Sequence, residues 1–576
     1  MMQVSKSVLT LAILSTITCQ PSTSQPVDGT VFIPMRDGVR LATDLYVPEA
    51  GEPPYPVILI RTPYNKSWLA GYGQYYSRSG YVVAIQDVRG RWASEGHWEP
   101  FLHEGYDGFD TIEWLGTREW STGKVGMVGG SYSGTIQFAA AVQKPPHLVT
   151  IVPNVAPAMP YHNIPREGGA LALGWAVRWT DIMENARTGR ELQAKLERSI
   201  VEDWSEPLAG LPVIELDRTV VGHEVSYFRD WIHHRPGDDY WEPVSYLSAL
   251  EEVEIPVFLQ SGWFDPGTRG ARLAFRRLVR GGNPHVRLVL GPWAHGDRGT
   301  RYLNGVDMGA AAERDLMAEY RRWFDFWLTT DARDAPNAPG VELYVMGSNH
   351  WLSGVRYPLE GTSFRPLYLA GSPGGDAHGR LEWDEPVGLD AFDTFTYDPG
   401  EPTPSFHAAL KRGTLDEYRA RVDTGSDVLV YESEPLDAPL DIVGPIEARL
   451  YASSSAKDTD WTATLYGLTS TGDVRVLGLT FGITRARYRD SLATPSLLEP
   501  GTVYPFVIDL GHTAVTVQAG ERLRLEIASA AFPEFSRNLN TGGHNELETD
   551  WVPAHQRVYR DSGRASQLLL PIIERR

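Results

Sequence analysis

In the first third of the chain, hydrophobic positions fall in short near-continuous runs rather than in alternation. Runs at residues 55–64, 81–90, 125–130 and 148–156, with two more at 256–265 and 286–295, predict strands buried on both faces of a mostly parallel sheet. Helical periodicity separates them, as in "DGFDTIEWLGTR" (107–118) and "ARLAFRRLVRGG" (271–282). An opening hairpin is expected from residues 31–48, with Asp37-Gly38 as its two-residue turn. Between about 157 and 240 the pattern turns helical and polar ("ARTGRELQAKLERSIVEDW"), which reads as an insertion between two strands of one sheet. After a helix ending "FWLTT" and the Pro-rich "DARDAPNAPG", short alternating segments take over from Val341 ("VELYVMG", "FRPLYLAG", "IEARLYAS", "ERLRLEIAS"). They predict an all-β sandwich or jelly roll.

The pattern therefore divides the chain into an exported leader at 1–25, an α/β core at 26–156 and 241–335, a helical cap at 157–240 and a β domain at 341–576. A length of 576 residues is too great for one core and agrees with several domains. The formal net charge of −20 argues against nucleic acid, whose phosphates demand a basic face. At the N-terminus Lys6 precedes an apolar run at 8–18, too short to span a bilayer and laid out as a secretory signal, and no later segment reads as membrane-spanning. Cys19, the only cysteine, ends that run where a bacterial lipoprotein would be lipidated, although "TIT" before it is a poor lipidation signal. The mature chain has no disulfide, so its stability comes from packing.

Candidate chemistry centres on "KVGMVGGSYSGTIQFAAAV" (124–142), an apolar run, a Gly/Ser knot and a small-residue helix. A nucleophile elbow needs small residues around its serine. Ser131, with Gly129 before it and Ser133 and Gly134 after it, fits better than Ser133, which is followed two residues on by the β-branched Thr135. A glycine-rich turn without chemistry explains this stretch equally well. Two further strands end in Asp265 and His295, completing the order Ser, Asp, His with each residue at a strand end. Taken singly, Asp265 could cap the helix beginning near Thr268, and His295 could be a turn histidine. The backbone N–H of Tyr132, one past the serine, is the default oxyanion donor, and Tyr64 in "RTPYNK" supplies a second donor or packs as a plain tyrosine.

The segments "RTPYNK", "QDVRGRWASEG", "GKVGMVGGSYSG", "GWFD" and "GPWAHG", in this order, resemble the cocaine esterase / X-Pro dipeptidyl-peptidase family of serine hydrolases. The likeness extends to "WIHHRPGDDYW" (231–241) and "FPEFSRNLNTGG" (532–543), and so covers nearly all of the chain after the leader. The resemblance implies an α/β-hydrolase core with an inserted helical cap and a C-terminal jelly-roll domain. It implies Ser131 as nucleophile in Gly-x-Ser-Tyr-x-Gly, Asp265 and His295 as acid and base, Tyr64 as hydroxyl donor, and a structural Ser133.

The expected activity is cleavage of an ester or amide acyl bond, with X-Pro dipeptidyl-peptidase or α-amino acid ester hydrolase as the alternatives within the class. Relatives acting on α-amino acid esters place two carboxylates just after the catalytic aspartate, where this chain has "PGTRG". Acyl groups without a free amine are therefore expected, or a carboxylated one if Arg269 faces the pocket; Glu167 and Asp181 in the cap are the carboxylates left to meet an amine. Trp263, Trp175 and Trp179 are candidate pocket walls. No cofactor is implied. Adjacent His233 and His234 cannot share a helix face as metal ligands do, and the glycine-rich "GGNP" (281–284) and "GSPGGDAHG" (371–379) lack the strand-to-helix setting of a phosphate cradle. The non-enzymatic alternative is a carbohydrate- or surface-binding protein on an inactive scaffold. Homo-oligomerisation is left open.

Overall fold

The computed structural model describes residues 30–303, 305–330, 340–371 and 378–574. The leader with Cys19, the linker 331–339 and most of the glycine-rich 371–379 segment lie outside the described residues. The core is a ten-stranded sheet. Its strands are β1 (Thr30–Pro34), β2 (Arg40–Tyr46), β3 (Tyr55–Thr62), β4 (Val82–Asp87), β5 (Ser121–Gly130), β6 (Leu148–Asn154), β7 (Val257–Phe264), β8 (Val286–Ala294), β9 (Gly340–Val345) and β10 (His350–Gly354). They are ordered β1-β2-β4-β3-β5-β6-β7-β8-β9-β10. Pairing is parallel from β4 through β9 and antiparallel at the two edges. The buried faces explain the apolar runs: β4 is buried at every position and β7 at all but its last. Helices Glu104–Gly116, Tyr132–Ala141 and Thr268–Arg280 cross between parallel strands, as such pairing requires. The opening hairpin forms in register Pro34↔Arg40, with Gly38 at φ 87° in its turn.

The strand at the expected boundary of the β domain pairs with the core sheet. The segment from Val341, read as the opening of the β domain, is β9 of the core sheet, parallel to β8 through Val289↔Glu342. Its alternation has a plain cause, because only one neighbour of β9 is a long buried strand and β10 closes the other side by antiparallel pairing.

Between β6 and β7 the chain leaves the sheet for a cap containing helices Leu173–Asn185, Gly189–Val201 and Ser226–His233. The second starts at Thr188, whose hydroxyl accepts from the Glu191 N–H at 3.2 Å while the Glu191 carboxylate accepts from the Arg187 N–H at 2.8 Å. Beyond β10 lies a twelve-stranded sheet centred on Leu440–Ser454, which pairs with Tyr504–Val517, Ala554–Asp561 and Gln567–Ile573. The domain is not purely β, since helices Phe406–Arg412 and Leu415–Thr424 interrupt it. Among the described residues no helix is long and apolar enough to cross a membrane.

Buried charge fastens the cap to the β domain. Glu546 accepts from Arg166 at 3.3 Å, Arg485 at 3.0 Å and the Ser536 hydroxyl at 3.1 Å, and Arg485 also pairs with Asp460 at 2.9 Å. Burial pushes the Glu546 carboxyl up, but the two guanidinium charges outweigh it and hold the group well below the usual carboxylate range. A depressed folded pKa gives stability that is present above the unfolded carboxylate range and lost as pH falls through the folded value. Glu546→Gln should therefore cost roughly 3–5 kcal/mol by leaving two buried arginines short of a counter-charge. Urea unfolding at neutral pH should show the midpoint falling, and an unchanged midpoint would refute the assignment.

Candidate active site

Ser131 stands between β5 and helix Tyr132–Ala141 at φ 59°, ψ −126°, a backbone conformation costly for a residue with a Cβ. The packing around it dictates this turn. A Cβ on Gly129 would fall 2.7 Å from the Ser133 Cβ, and one on Gly134 2.9 Å from both the Ala156 Cβ and the Asn154 carbonyl oxygen. The elbow is held by the Ser131 N–H donating to the Asn154 carbonyl at 3.0 Å. Ser133 is buried beneath it.

Asp265 follows β7, and its side chain is wholly buried. It accepts from His295 Nδ1 at 2.8 Å, from the Gly267 N–H at 2.9 Å and from the Ser261 hydroxyl at 2.5 Å. The Asp265 carbonyl also accepts from the Thr268 N–H at 3.0 Å, so the residue shapes the helix entry as well as holding the histidine. The His295 ring, one residue past β8, keeps 44% of its side chain exposed. Among the described residues no hydrogen bond joins the Ser131 hydroxyl to the His295 ring, whose Nδ1 is held by Asp265.

Tyr64 faces this elbow. Its hydroxyl oxygen accepts from the Trp179 indole at 3.4 Å and lies against the Ser131 side chain. Burial raises its pKa, and the Trp179 and Ser131 contacts only partly offset that, so the phenol keeps its proton. The Tyr132 N–H is a first-turn donor at the helix start. The Tyr132 side chain points inward, where its hydroxyl donates to Glu104 at 2.8 Å and accepts from the Phe101 N–H at 2.8 Å. Glu104 in turn pairs with buried Arg61 at 2.8 Å.

The cap presents an aromatic wall. Trp179 stacks on Trp175 at 5.3 Å and Trp231 at 5.9 Å, and meets Trp98 at 5.7 Å. Trp175 and Trp179 thus belong to one cluster that reaches Tyr64. Trp98, Trp231 and Tyr227 join it, though sequence reasoning gave them no role; only Trp231 falls in a segment, "WIHHRPGDDYW", that the sequence singled out. Trp263 stands apart, its indole N–H donating to the Tyr344 carbonyl at 2.7 Å, which ties β7 to β9 as part of the core.

Arg269, expected to meet a carboxylated acyl group only if it faced the pocket, is engaged elsewhere. Its guanidinium pairs with Glu167 at 2.8 Å and Asp509 at 3.2 Å, joining core helix, cap and β domain, because a buried cation requires such partners. Glu167 is committed by the same contact, and Asp181 is paired with Lys195 at 2.8 Å. His234 stacks on Tyr240 at 4.3 Å, and "GGNP" follows a helix end, where Asn283 donates to the Val253 and Ile255 carbonyls.

A mostly parallel sheet carrying a serine elbow, with an aspartate-bound histidine at a neighbouring strand end, defines a hydrolase of the α/β type. The chain belongs to the X-Pro dipeptidyl-peptidase (S15) family, which it matches over residues 37–297, followed at 334–569 by the family's C-terminal non-catalytic domain. It is 33% identical to a cocaine esterase of Rhodococcus sp. (strain MB1 Bresler), over 95% of this chain and 99% of that one. An α-amino acid ester hydrolase structure superposes with a TM-score of 0.79 at 26% identity, covering 98% of this chain and 100% of the other. An aminopeptidase from the marine sediment archaeon Thaumarchaeota archaeon shares the fold with a TM-score of 0.79 at 24% identity, covering 96% and 98%. Membership in a hydrolase family sets aside the non-enzymatic reading.

Proposed function

We propose that this chain is a serine esterase or acylase that works through an acyl-enzyme on Ser131. The observation that carries the reading is the fully buried Asp265 holding His295 Nδ1 at 2.8 Å, on the sheet edge where Ser131 occupies its strained turn. With Nδ1–H given to Asp265, Nε2 is the free base. It takes the Ser131 proton as Oγ attacks the acyl carbon. The carbonyl electrons move to oxygen, where the Tyr64 O–H and Tyr132 N–H meet the developing charge. The imidazolium then protonates the leaving alcohol or amine, the acyl–Oγ ester remains, and water activated by the same nitrogen releases the acid. Ser131→Ala should lower turnover by roughly 10⁴–10⁶-fold, as loss of a triad nucleophile does. Ser133→Ala keeps the Cβ that packs under Gly129 and should retain most activity. A reversal of these two outcomes in an ester assay would sink the assignment.

Acyl preference follows from where the charges are spent. Glu167 is matched by Arg269 and Asp181 by Lys195, and "PGTRG" after Asp265 brings no acid. An ammonium entering the pocket would therefore be desolvated without a counter-charge, at a cost of several kcal/mol. A phenylacetyl ester should show a kcat/KM at least about tenfold above the matching phenylglycyl ester. Preference for the amine-bearing ester would move the chain to the amino-ester hydrolases or dipeptidyl-peptidases.

The reading includes export, supported by the apolar run at 8–18 behind Lys6. N-terminal sequencing of the expressed protein should find a chain starting at or after Cys19, carried to the membrane fraction if that cysteine is lipidated. An uncleaved cytoplasmic chain would overturn this part.

A further inference from the structure

Arg91 is a cation with no counter-ion at contact distance. Among the described residues its guanidinium makes no ion pair; Glu184 and Asp87 act on it only at longer range, and Glu184 is already hydrogen-bonded to the Tyr227 hydroxyl at 3.1 Å. Burial pulls its pKa below the ordinary arginine value, the mark of a charge removed from water. What it has instead are two backbone carbonyls and the indole faces of Trp98 and Trp92. Its Nε donates to the Pro63 carbonyl at 3.3 Å, one terminal nitrogen donates to the Met183 carbonyl at 3.1 Å, and its central carbon sits 4.4 Å above the Trp98 ring.

The two carbonyls locate that use. Pro63 immediately precedes Tyr64, and its carbonyl also accepts from the Trp92 indole at 2.8 Å. Met183 lies one helical turn beyond Trp179, whose indole N–H donates to the Tyr64 hydroxyl. One planar, forked side chain therefore ties the loop that carries the tyrosine to the helix that carries its hydrogen-bond donor. Its charge acts on the Tyr64 hydroxyl in the direction that favours a more acidic phenol, and so a stronger hydrogen-bond donor.

We infer that Arg91 is a positioning residue for the oxyanion hole, acting through the Tyr64 hydroxyl by fixing it against Trp179 and holding a half-buried positive charge beside it. The inference rests on the proposed role of Tyr64 and deepens it. The experiment is a double-mutant cycle on a p-nitrophenyl ester, with competent sites counted by fluorophosphonate labelling so that misfolded enzyme is not scored as slow enzyme. Tyr64→Phe alone should lower kcat by roughly 10²–10³-fold; no loss there overturns the oxyanion assignment itself, whatever Arg91 does. Given that loss, Arg91→Met should lower kcat roughly tenfold with KM within about twofold, and should lower it less than about twofold in the Tyr64→Phe background. Arg91→Lys, which keeps the charge, should recover at least about threefold of the loss. Equal losses from Arg91→Met in both backgrounds, a loss mainly in KM, or a lysine variant no better than methionine would each overturn the inference. If the methionine variant does not fold, Arg91→Lys read in the two backgrounds tests the same coupling, with additivity as the refuting result.

Discussion

The turn after β5 leaves no room for side chains, and the geometry of the active site descends from that constraint. Cβ atoms at Gly129 and Gly134 would collide with Ser133, Ala156 and the Asn154 carbonyl, so the strand end, the helix start and the end of β6 press together at one point. The chain between them can turn only by placing Ser131 at positive φ, a strain of order 1–3 kcal/mol. The surroundings over-determine it: the Ser131 N–H is bound by Asn154, and Thr135 in the first turn of the helix donates to the Pro157 carbonyl at 3.0 Å. The same closeness continues along the sheet edge, where a Cβ on Gly267, two residues past Asp265, would fall 2.5 Å from the Val155 backbone. Serine and aspartate are thus registered against one element, the end of β6, rather than against each other.

Around this edge, charge is used to join parts rather than to meet a ligand. Arg269 reaches from the core helix to Glu167 of the cap and Asp509 of the β domain, and Arg272 reinforces it on Asp509 at 2.8 Å. Near His162 these arginines matter again: burial first, and then the Arg269 and Arg272 charges, press that imidazole down to about 4, so it is neutral wherever the enzyme is folded near neutral pH. The cap facing Tyr64 is by contrast aromatic.

How much of this was legible depended on the range of the signal. The buried parallel strands were, because burial on both faces writes continuous apolar runs; the strand–turn–helix joint at Ser131 was, through its glycines, but a nucleophile there read no better than a plain turn until the family resemblance was weighed. The Asp265 and His295 positions followed from strand ends. The β9 boundary was not legible, since an edge strand alternates whether it closes a parallel sheet or opens a sandwich. Nor was the commitment of Arg269, whose partner Asp509 lies 240 residues away in the chain and is known only once two domains meet. Trp263 shows the same limit: an indole beside an acid reads as a pocket wall until the Tyr344 carbonyl is found on its N–H.

The Trp179 contact carries a consequence for how a tyrosine can serve as an oxyanion donor at all. A phenol has one proton to give and an oxygen that accepts. In an apolar cleft an unconstrained hydroxyl would turn that proton toward whatever acceptor lay nearest. The Trp179 N–H is directed at the oxygen, so the cap supplies one donor to the hydroxyl, which also lies against Ser131. Burial keeps the phenol from ionising, so the donor remains a donor. The cap helix therefore meets Tyr64 through one residue: the Trp179 ring joins the aromatic cluster and its N–H donates to the Tyr64 hydroxyl. A phenylalanine there would keep the ring and lose the donor, which separates the packing contribution of the cap from its electrostatic one.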